Sequence, residues 1–468
     1  MLTNILKYLI MKKIYFLFLT LISTLFYSQV FQTIPIIENG PRDKRIKLVI
    51  MGDGFTDSEL DVLTQQATNV ANYLFSKPPY SMYKNYFNVY LVKVVSPESG
   101  VKHPGTATDE QHVNPAVPIS NPNTALDVSF DHGGIHRCIY TNDINKVGQV
   151  LSTNFPDYDV ALVIGNTPYH GGCGGKYPFI TMHSDSYDVA LHELGHTFGK
   201  LHDEYWIANQ GEGPNKTNNS DPATVKWKNW IGFRGVGMHP FSENASWFRP
   251  HENCEMRYLN RSFCSVCEEA LIERIHSILS PIEGYTPNNT TTVSISNQQD
   301  FVVNLILPEP NTLTSKWMLN GVEVLSSLDA ITIQKNQLQD GNNTLVFNVE
   351  DKTPNVRVDG HESSHISTIT WNILKNNLGI DEVNSQAIDF VVYPNPTSDV
   401  VYLDVKQNIG NKISAEVLDI SGRQVINRKK LDKDEKYSLD LGKLPSQTYI
   451  LKVYNDNTLL FVKKIIKK

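Results

Sequence analysis

A multidomain chain is expected, with an α/β domain first and two β-sandwiches behind it. Length is the first ground, since 468 residues exceed one ordinary domain. The second is a change of texture near Pro281, where helical spacing of apolar residues gives way to short alternating runs. The third is that alternation with Gly and Pro at the turns then continues to the C-terminus. A hydrophobic fraction of 40% is enough for real cores, and 19% charged residues argue against wholesale disorder. The net charge of -7, from 42 Lys+Arg against 49 Asp+Glu, argues against a nucleic-acid partner, which calls for a basic face. Only one stretch, at the N-terminus, is apolar enough to engage a membrane, so a multi-pass protein is excluded and no integral span is expected in the mature chain.

That stretch, MKKIYFLFLTLISTLFYS at residues 11–28, has a basic start in Lys12 and Lys13, an apolar run from Ile14 to Phe26, and a small residue, Ser28, at the end. This is the pattern of an export signal, so residues 1–28 are assigned to it, with Met11 the better start. Next, Ile46 to Met51 reads as a buried strand running into Gly52-Asp53-Gly54. Residues 57–75 carry helical spacing, residues 87–95 and 160–164 read as strands, and residues 186–200 and 268–279 as helices. The short β-rich runs of residues 286–375 suggest a small sandwich, residues 375–387 a polar linker, and the sequence from about Asp389 onward another strand-built module.

The chemistry is concentrated between Ala190 and Glu204, in the run ALHELGHTFGKLHDE. On a helix, His192 and His196 project from one face and can share a Zn²⁺ at about 2.0–2.1 Å. Glu193 stands beside them, where a carboxylate can take a proton from an activated water. Gly199 can adopt positive φ, end the helix and turn the chain so that His202 approaches the metal. Three protein ligands leave a position open, which a catalytic site needs.

HExxHxxGxxH resembles the metzincin signature among zinc peptidases. That resemblance implies a Met-turn below the metal, for which Met256 in CEMRY is the candidate, and Tyr258 two residues later could reach the metal or the oxyanion. Five segments together resemble the M64 (IgA peptidase-like) metallopeptidase family: IMGDGFT from Ile50, FDHGGI from Phe130, YHGGCGG from Tyr169, HELGHTFGKLHDEY from His192, and CEMRY…FCSVC from Cys254 to Cys267. The resemblance implies an exported zinc endopeptidase with one zinc per catalytic domain, Glu193 as general base and His192 and His196 as ligands. Members of the family usually carry a small residue where this chain has His202, followed by the same Asp-Glu-Tyr. An acidic third ligand, Asp203 or Glu204, therefore stays open beside the preferred His202. Residues 171–175 and 177–182 are expected to form a rim along which an extended substrate pairs.

Among the five cysteines, Cys138, Cys173, Cys254, Cys264 and Cys267, an odd number leaves at least one unpaired. A disulfide within the last three is preferred to a second metal site, because four ligands are needed and only Cys254 lies near the Cys264–Cys267 pair in sequence.

The end of the chain, with VVYPNPTSD at residues 391–399, VLDISGR from Val417, LPSQTYIL from Leu444 and VKKIIKK from Val462, resembles the type A C-terminal sorting domain of the type IX secretion system. Gln447-Thr448 departs from the Gly-containing turn usual before that Tyr. The module before it resembles an Ig-like domain, through Trp317 followed by Leu319-Asn320-Gly321 and Asn348 to Asp351. The full expectation is an α/β metzincin-like zinc peptidase domain (29–285), an Ig-like β-sandwich (286–376), a linker (377–388) and a C-terminal β-sandwich sorting domain (389–468). Its partners would be an extracellular protein or peptide substrate and the type IX machinery, and its place outside the cell or on its surface. Two alternatives stand: a catalytically idle surface binding or adhesion protein, and a zinc amidase acting on cell-wall peptides.

Overall fold

A computed structural model describes residues 30–109, 116–326, 329–376, 390–405, 413–431, 436–456 and 458–468. The export signal at 1–28 and the linker at 377–388 lie outside the described residues. The chain divides into two compact units, one built of residues up to 279 with 308–310 and 354–359, the other of 280–307, 311–353 and 360–468.

The first unit is organised on a six-stranded sheet. Its strands are β1 (Thr33–Ile37), β2 (Ile46–Asp53), β3 (Phe87–Val92), and, after the short pair β4 (Val128–Ser129) and β5 (Tyr140–Thr141), β6 (Val160–Gly165), β7 (Gly172–Cys173) and β8 (Phe179–Thr181). The order is β1-β3-β2-β6-β8-β7. The four central strands run parallel, and β1 and β7 close the two edges antiparallel. Strands covered on both faces are near-continuous apolar runs, and IKLVIM, FNVYLV and VALVIG are of that kind. Helix α1 (Leu60–Leu74) buries Leu63, Ala67, Val70, Ala71 and Leu74 along one stripe. The 3₁₀ turn before it is fixed by a Thr56–Glu59 capping box. Helix α2 (Ile144–Asn154), which periodicity did not single out, buries Val147 and Leu151 with Val49, Met51 and Val163 of the sheet. On the opposite face α1 meets helix α3 (Ser186–Thr197): Leu48, Leu74, Phe87, Val160, Leu194 and Phe198 line one small apolar cavity.

Helix α4 (Ser265–Ile278) starts three residues earlier than its periodicity suggests, with Cys264 at its N-cap. Helix α3 stops at Thr197 rather than Lys200. The left-handed residue of that turn is Lys200, at φ 57°, and not Gly199 as expected. Gly199 is needed for space instead: a Cβ there would stand 2.6 Å from Leu271 and 2.9 Å from the Gly195 carbonyl.

Asp53 explains the MGDG turn. Its buried carboxylate ends β2 and accepts from the Leu126 and Val128 amides and from the Thr124 and Ser96 hydroxyls. Burial raises its pKa, against the four hydrogen bonds that hold the charge.

The second unit is all-β apart from single turns of helix. Strands Ile282–Thr286, Gln298–Leu305 and Ala330–Gln334 form one sheet, and Val293–Ile295, Leu313–Leu319, Val322–Ser326, Asn342–Asp351 and Ser367–Lys375 a second. Both contribute to one core around Trp317 and Trp371, whose rings stack 5.6 Å apart. Further along, Phe390–Tyr393, Val400–Val405 and Tyr437–Asp440 form a sheet that shares a core with Ile413–Asp419, Gln424–Lys430, Thr448–Asn455 and Thr458–Ile466.

Asp53→Ala leaves two amides and two hydroxyls of the crossing loops without an acceptor. It is expected to destabilise the first unit by about 3 kcal/mol, read as a lowered urea midpoint of its unfolding transition. An unchanged midpoint would remove Asp53 as the anchor of these loops.

Candidate metal centre

Helix α3 is held at its N-terminal end. Ser186 Oγ lies 2.7 Å from Thr181 Oγ1 of β8 and donates to the Gly171 carbonyl at 3.1 Å. Tyr73 of α1 hydrogen-bonds Asp188. Strand β7 runs close along the helix, because a Cβ at Gly172 would stand 2.4 Å from Val189 and one at Gly174 only 2.0 Å from Glu193 Oε2. The glycine-rich run is thus the condition for laying a strand edge against the HExxH turn. Within the predicted rim, β7 is the edge strand, and residues 179–181 lie inside the sheet as β8.

The two imidazoles turn towards each other, with His192 Nε2 and His196 Nε2 3.1 Å apart. Asp203 Oδ1 completes a triangle, 3.1 Å from the first nitrogen and 3.2 Å from the second. Each ring points its other nitrogen at a backbone carbonyl: His192 Nδ1 donates to Glu255 O at 2.9 Å and His196 Nδ1 to Leu201 O at 2.7 Å. A carbonyl can only accept, so the ring proton sits on Nδ1 and the Nε2 lone pairs face inward. Three lone-pair donors in mutual contact repel unless a cation is shared between them. Donor atoms bonded tetrahedrally at about 2.0–2.2 Å stand about 3.3–3.6 Å from one another, a little beyond the spacings found here. The group therefore fits a small metal cation.

With no cation between them, the carboxylates draw protons to the same point. Burial opposes charge on both rings, but the hydrogen bonds and charge of Asp203 overcome it, pushing His192 up to about 9 and raising His196 as well. Asp203 is buried, yet the two imidazoles hold it well below the usual carboxylate range. Its outer oxygen accepts from Gln210 Nε2 at 3.2 Å, and Gln210 Oε1 accepts in turn from Lys216 Nζ at 3.1 Å. Lys216 is enclosed by Trp206, Phe241 and Trp247. Glu193 Oε2 is buried without a hydrogen-bond partner among the described residues. Burial raises the Glu193 pKa, opposed by the charges of His192 and His196.

The other expected residues are placed as follows. His202 does not join the triangle. Its amide donates to Asn215 Oδ1 at 2.8 Å, and its ring lies over Gly213, where a Cβ would be 2.7 Å from Cγ. Glu204 turns away into a buried group with Cys254, Cys264 and Cys267. Met256 is fully buried directly under α3, and a Cβ on Gly195 would stand 2.5 Å from its sulfur. Tyr258 is 50% exposed, its ring under the Arg257 guanidinium. Tyr205 is 45% exposed but stands near the centre: partial burial, then the charges of Asp203 and Glu193, push its pKa upward. Tyr205, Gln210 and Lys216 were not singled out in the sequence. For Tyr205 a signal existed, as the last residue of the Asp-Glu-Tyr run. The expected disulfide within the last three cysteines is not formed. Cys138 and Cys173 are bridged, and Cys254, Cys264 and Cys267 are free. Cys254 Sγ and Cys267 Sγ are 3.7 Å apart, too far for a bond of about 2.0 Å.

Comparison with known proteins finds two matching family models, each over part of the chain. Residues 34–235 match the family model described as IgA Peptidase M64, and residues 391–468 match the one described as Secretion system C-terminal sorting domain. The resemblances to the M64 family and to the type IX sorting domain are thereby shown for those two segments: a peptidase segment of a metallopeptidase family, and a tail that indicates export to the cell surface or beyond. No curated protein matches the chain. Among solved structures, dimeric latent PorU from Porphyromonas gingivalis aligns at 14% identity over 40% of this chain and 20% of its own, with a TM-score of 0.19. SGBP-B of a Bacteroides ovatus mixed-linkage glucan utilization locus aligns at 14% identity over 39% of this chain and 44% of its own, with a TM-score of 0.15. The chain spans less than half the length of either, and likenesses of this size carry no argument. No helix among the described residues is long and apolar enough to cross a membrane.

Asp203→Ala is expected to lower bound metal by about one equivalent per chain, while His202→Ala leaves it unchanged, read by elemental analysis after dialysis. The reverse pattern would restore His202 as the ligand.

Proposed function

We propose that the chain is an exported zinc endopeptidase that hydrolyses peptide bonds of extracellular proteins, with an α/β metzincin-like catalytic domain, an Ig-like β-sandwich and a type IX sorting tail. The observation that carries this reading is the triangle of His192 Nε2, His196 Nε2 and Asp203 Oδ1 at 3.1–3.2 Å, with an unpartnered carboxylate, Glu193, beside it. Zinc fits two imidazoles and a carboxylate on tetrahedral edges, and when bound it supplies a Lewis acid that brings the pKa of water towards about 7. Asp203 takes the place expected of His202 as third ligand.

Glu193 acts as general base. It accepts a proton at Oε2 as the water oxygen attacks the peptide carbonyl, then delivers it to the amine as the C–N bond breaks. Its buried setting suits it, because the raised pKa makes it a stronger base than an exposed glutamate. The Tyr205 phenol, which feels the charges of Asp203 and Glu193, is the donor to the developing oxyanion in this reading, rather than Tyr258. Met256 is the floor under α3 that holds the two imidazoles in register. The outer edge of β7 is free of strand partners among the described strands, so an extended peptide can pair there while its scissile carbonyl lies over the site. A substrate that pairs by backbone favours protein chains over cell-wall peptides, and the intact Glu193 favours an enzyme over an idle binding protein.

Digestion of mixed unfolded proteins with zinc present tests the reading. Chelator is expected to abolish cleavage and added zinc to restore it. Glu193→Ala is expected to lower turnover by at least about 1000-fold with metal content retained. Fragment patterns identical in wild type and Glu193→Ala would refute the peptidase function. Tyr205→Phe is expected to lower kcat about 100-fold with KM little changed, and Tyr258→Phe to do neither. Equal kcat for Tyr205→Phe and wild type would remove Tyr205 from catalysis.

A further inference from the structure

We propose that Cys254, Cys264, Cys267 and Glu204 form a second, structural metal site for a thiolate-bound divalent cation, zinc by ligand type, behind the first. Sulfur and carboxylate oxygen on a closed four-ligand site are the chemistry of structural zinc.

The four ligand atoms all lie within 4.8 Å of one another, and all four residues are buried. Cys254 Sγ is 3.7 Å from Cys267 Sγ. Glu204 Oε1 is 3.2 Å from Cys267 Sγ and 3.9 Å from Cys264 Sγ. Tetrahedral zinc with Zn–S of about 2.3 Å and Zn–O of about 2.1 Å has S–S edges of about 3.8 Å and S–O edges of about 3.6 Å, so these spacings are close to those of a bound set. They are also well beyond a disulfide, which needs about 2.0 Å.

A second, independent observation points the same way. Glu204 is fully buried, and its Oε2 has no hydrogen-bond partner among the described residues. Its Oε1 is oriented by Asn215 Nδ2 at 3.1 Å. A buried carboxylate aimed at three sulfurs is costly without a cation to hold. The cluster also sits at the N-terminus of the 14-residue helix α4, with Cys264 as N-cap and Cys267 in the first turn, where the helix dipole favours negatively charged sulfur. The Cys264 amide points at Cys254 Sγ, 3.3 Å away. On binding, three S–H bonds give way to three metal–sulfur bonds, the protons leave to solvent, the carboxylate adds a metal–oxygen bond, and no group changes oxidation state.

Such a site has a clear mechanical role. It joins the stretch that carries Asp203, the turn that carries Met256, and the start of α4. The Glu204 amide donates to Met256 O at 2.8 Å, and Glu255 O accepts from His192 Nδ1 at 2.9 Å. The cysteine site would therefore hold both Asp203 and the carbonyl that orients His192, acting as a positioning site and not a catalytic one.

The test keeps this inference separate from the peptidase reading. Full-length protein is prepared under reducing conditions with zinc and freed of excess metal. Wild type is expected to hold about two zinc per chain, and the His192→Ala/His196→Ala variant about one. Replacement of zinc by cobalt in that variant is expected to give strong sulfur-to-cobalt charge-transfer absorption, lost in the further Cys264→Ser/Cys267→Ser variant. If the histidine variant does not fold, the same absorption is read in cobalt-loaded wild type, where a site of imidazole and carboxylate alone gives none. Wild type prepared separately without reductant, then denatured and chelated, is expected to titrate about three thiols. Absence of the charge-transfer absorption, or a titre of about one thiol, overturns the proposal whatever the outcome of the digestion assay.

Discussion

Three electron-pair donors pressed together at one point govern the first unit. Left alone, two imidazole nitrogens and a carboxylate oxygen at 3.1–3.2 Å would drive the rings apart. The fold prevents this by fixing each ring from behind through a backbone carbonyl, one from Leu201 in the turn after α3 and one from Glu255 in the turn before Met256. Neither carbonyl belongs to the helix that carries the rings. The orientation of the site therefore depends on tertiary structure, and the buried methionine, the close glycine at 195 and the left-handed Lys200 all serve to keep those two carbonyls in place. A second layer of this kind is what a metal ligand set needs to hold its geometry.

The part of the site that obeys helical periodicity was legible in the sequence. His192, Glu193 and His196 share one turn pattern, and a spacing of four fixes the faces of residues on a single helix. Legibility stopped at Thr197, where the helix ends. Beyond it, which of three consecutive polar residues returns to the two imidazoles depends on the route of the turn, and that route is set by contacts from distant residues. Asn215 binds the His202 amide and carbonyl and turns the ring onto Gly213, which leaves Asp203 facing the helix. The expectation that Gly199 makes the turn failed for a similar reason. Glycine is required there by the closeness of Leu271, a packing demand that a local reading cannot separate from a conformational one.

The strands buried on both faces were readable as apolar runs, and the turn after β2 as a glycine-flanked aspartate. The short β7 and β8 fall within the expected rim at 171–175 and 177–182, but strands of two or three residues carry no period, so their bounds and their places in the sheet were not readable. Their existence depends on sheet pairing and on the Cys138–Cys173 bridge, which joins residues 35 apart in sequence. A disulfide needs its two Cα atoms close in space, and those of Cys138 and Cys173 stand 4.9 Å apart, a closeness with no signature in sequence spacing. The same gap concealed Glu204. The count of ligands near Cys264 and Cys267 looked one short, since the fourth lies 50 residues upstream of Cys254, beside Asp203.

That adjacency has a physical consequence. Asp203 and Glu204 are consecutive, yet one side chain meets the histidines and the other the cysteines. A peptide unit fixed at both side chains loses the torsional freedom that would otherwise let Asp203 swing between binding the cation and turning to solvent. The entropy of ordering Asp203 is then met by the packing around Glu204 when the chain folds, and not each time the open site binds a substrate. Catalytic precision requires placement of the first ligands to within about 0.5 Å, and rigid support on the far side of the same dipeptide is an economical way to reach it. On this view Asp203 and Glu204 are one device with two parts, an anchor at 204 and a proposed ligand at 203, so that two neighbouring side chains reach fixed positions from one constrained stretch of backbone.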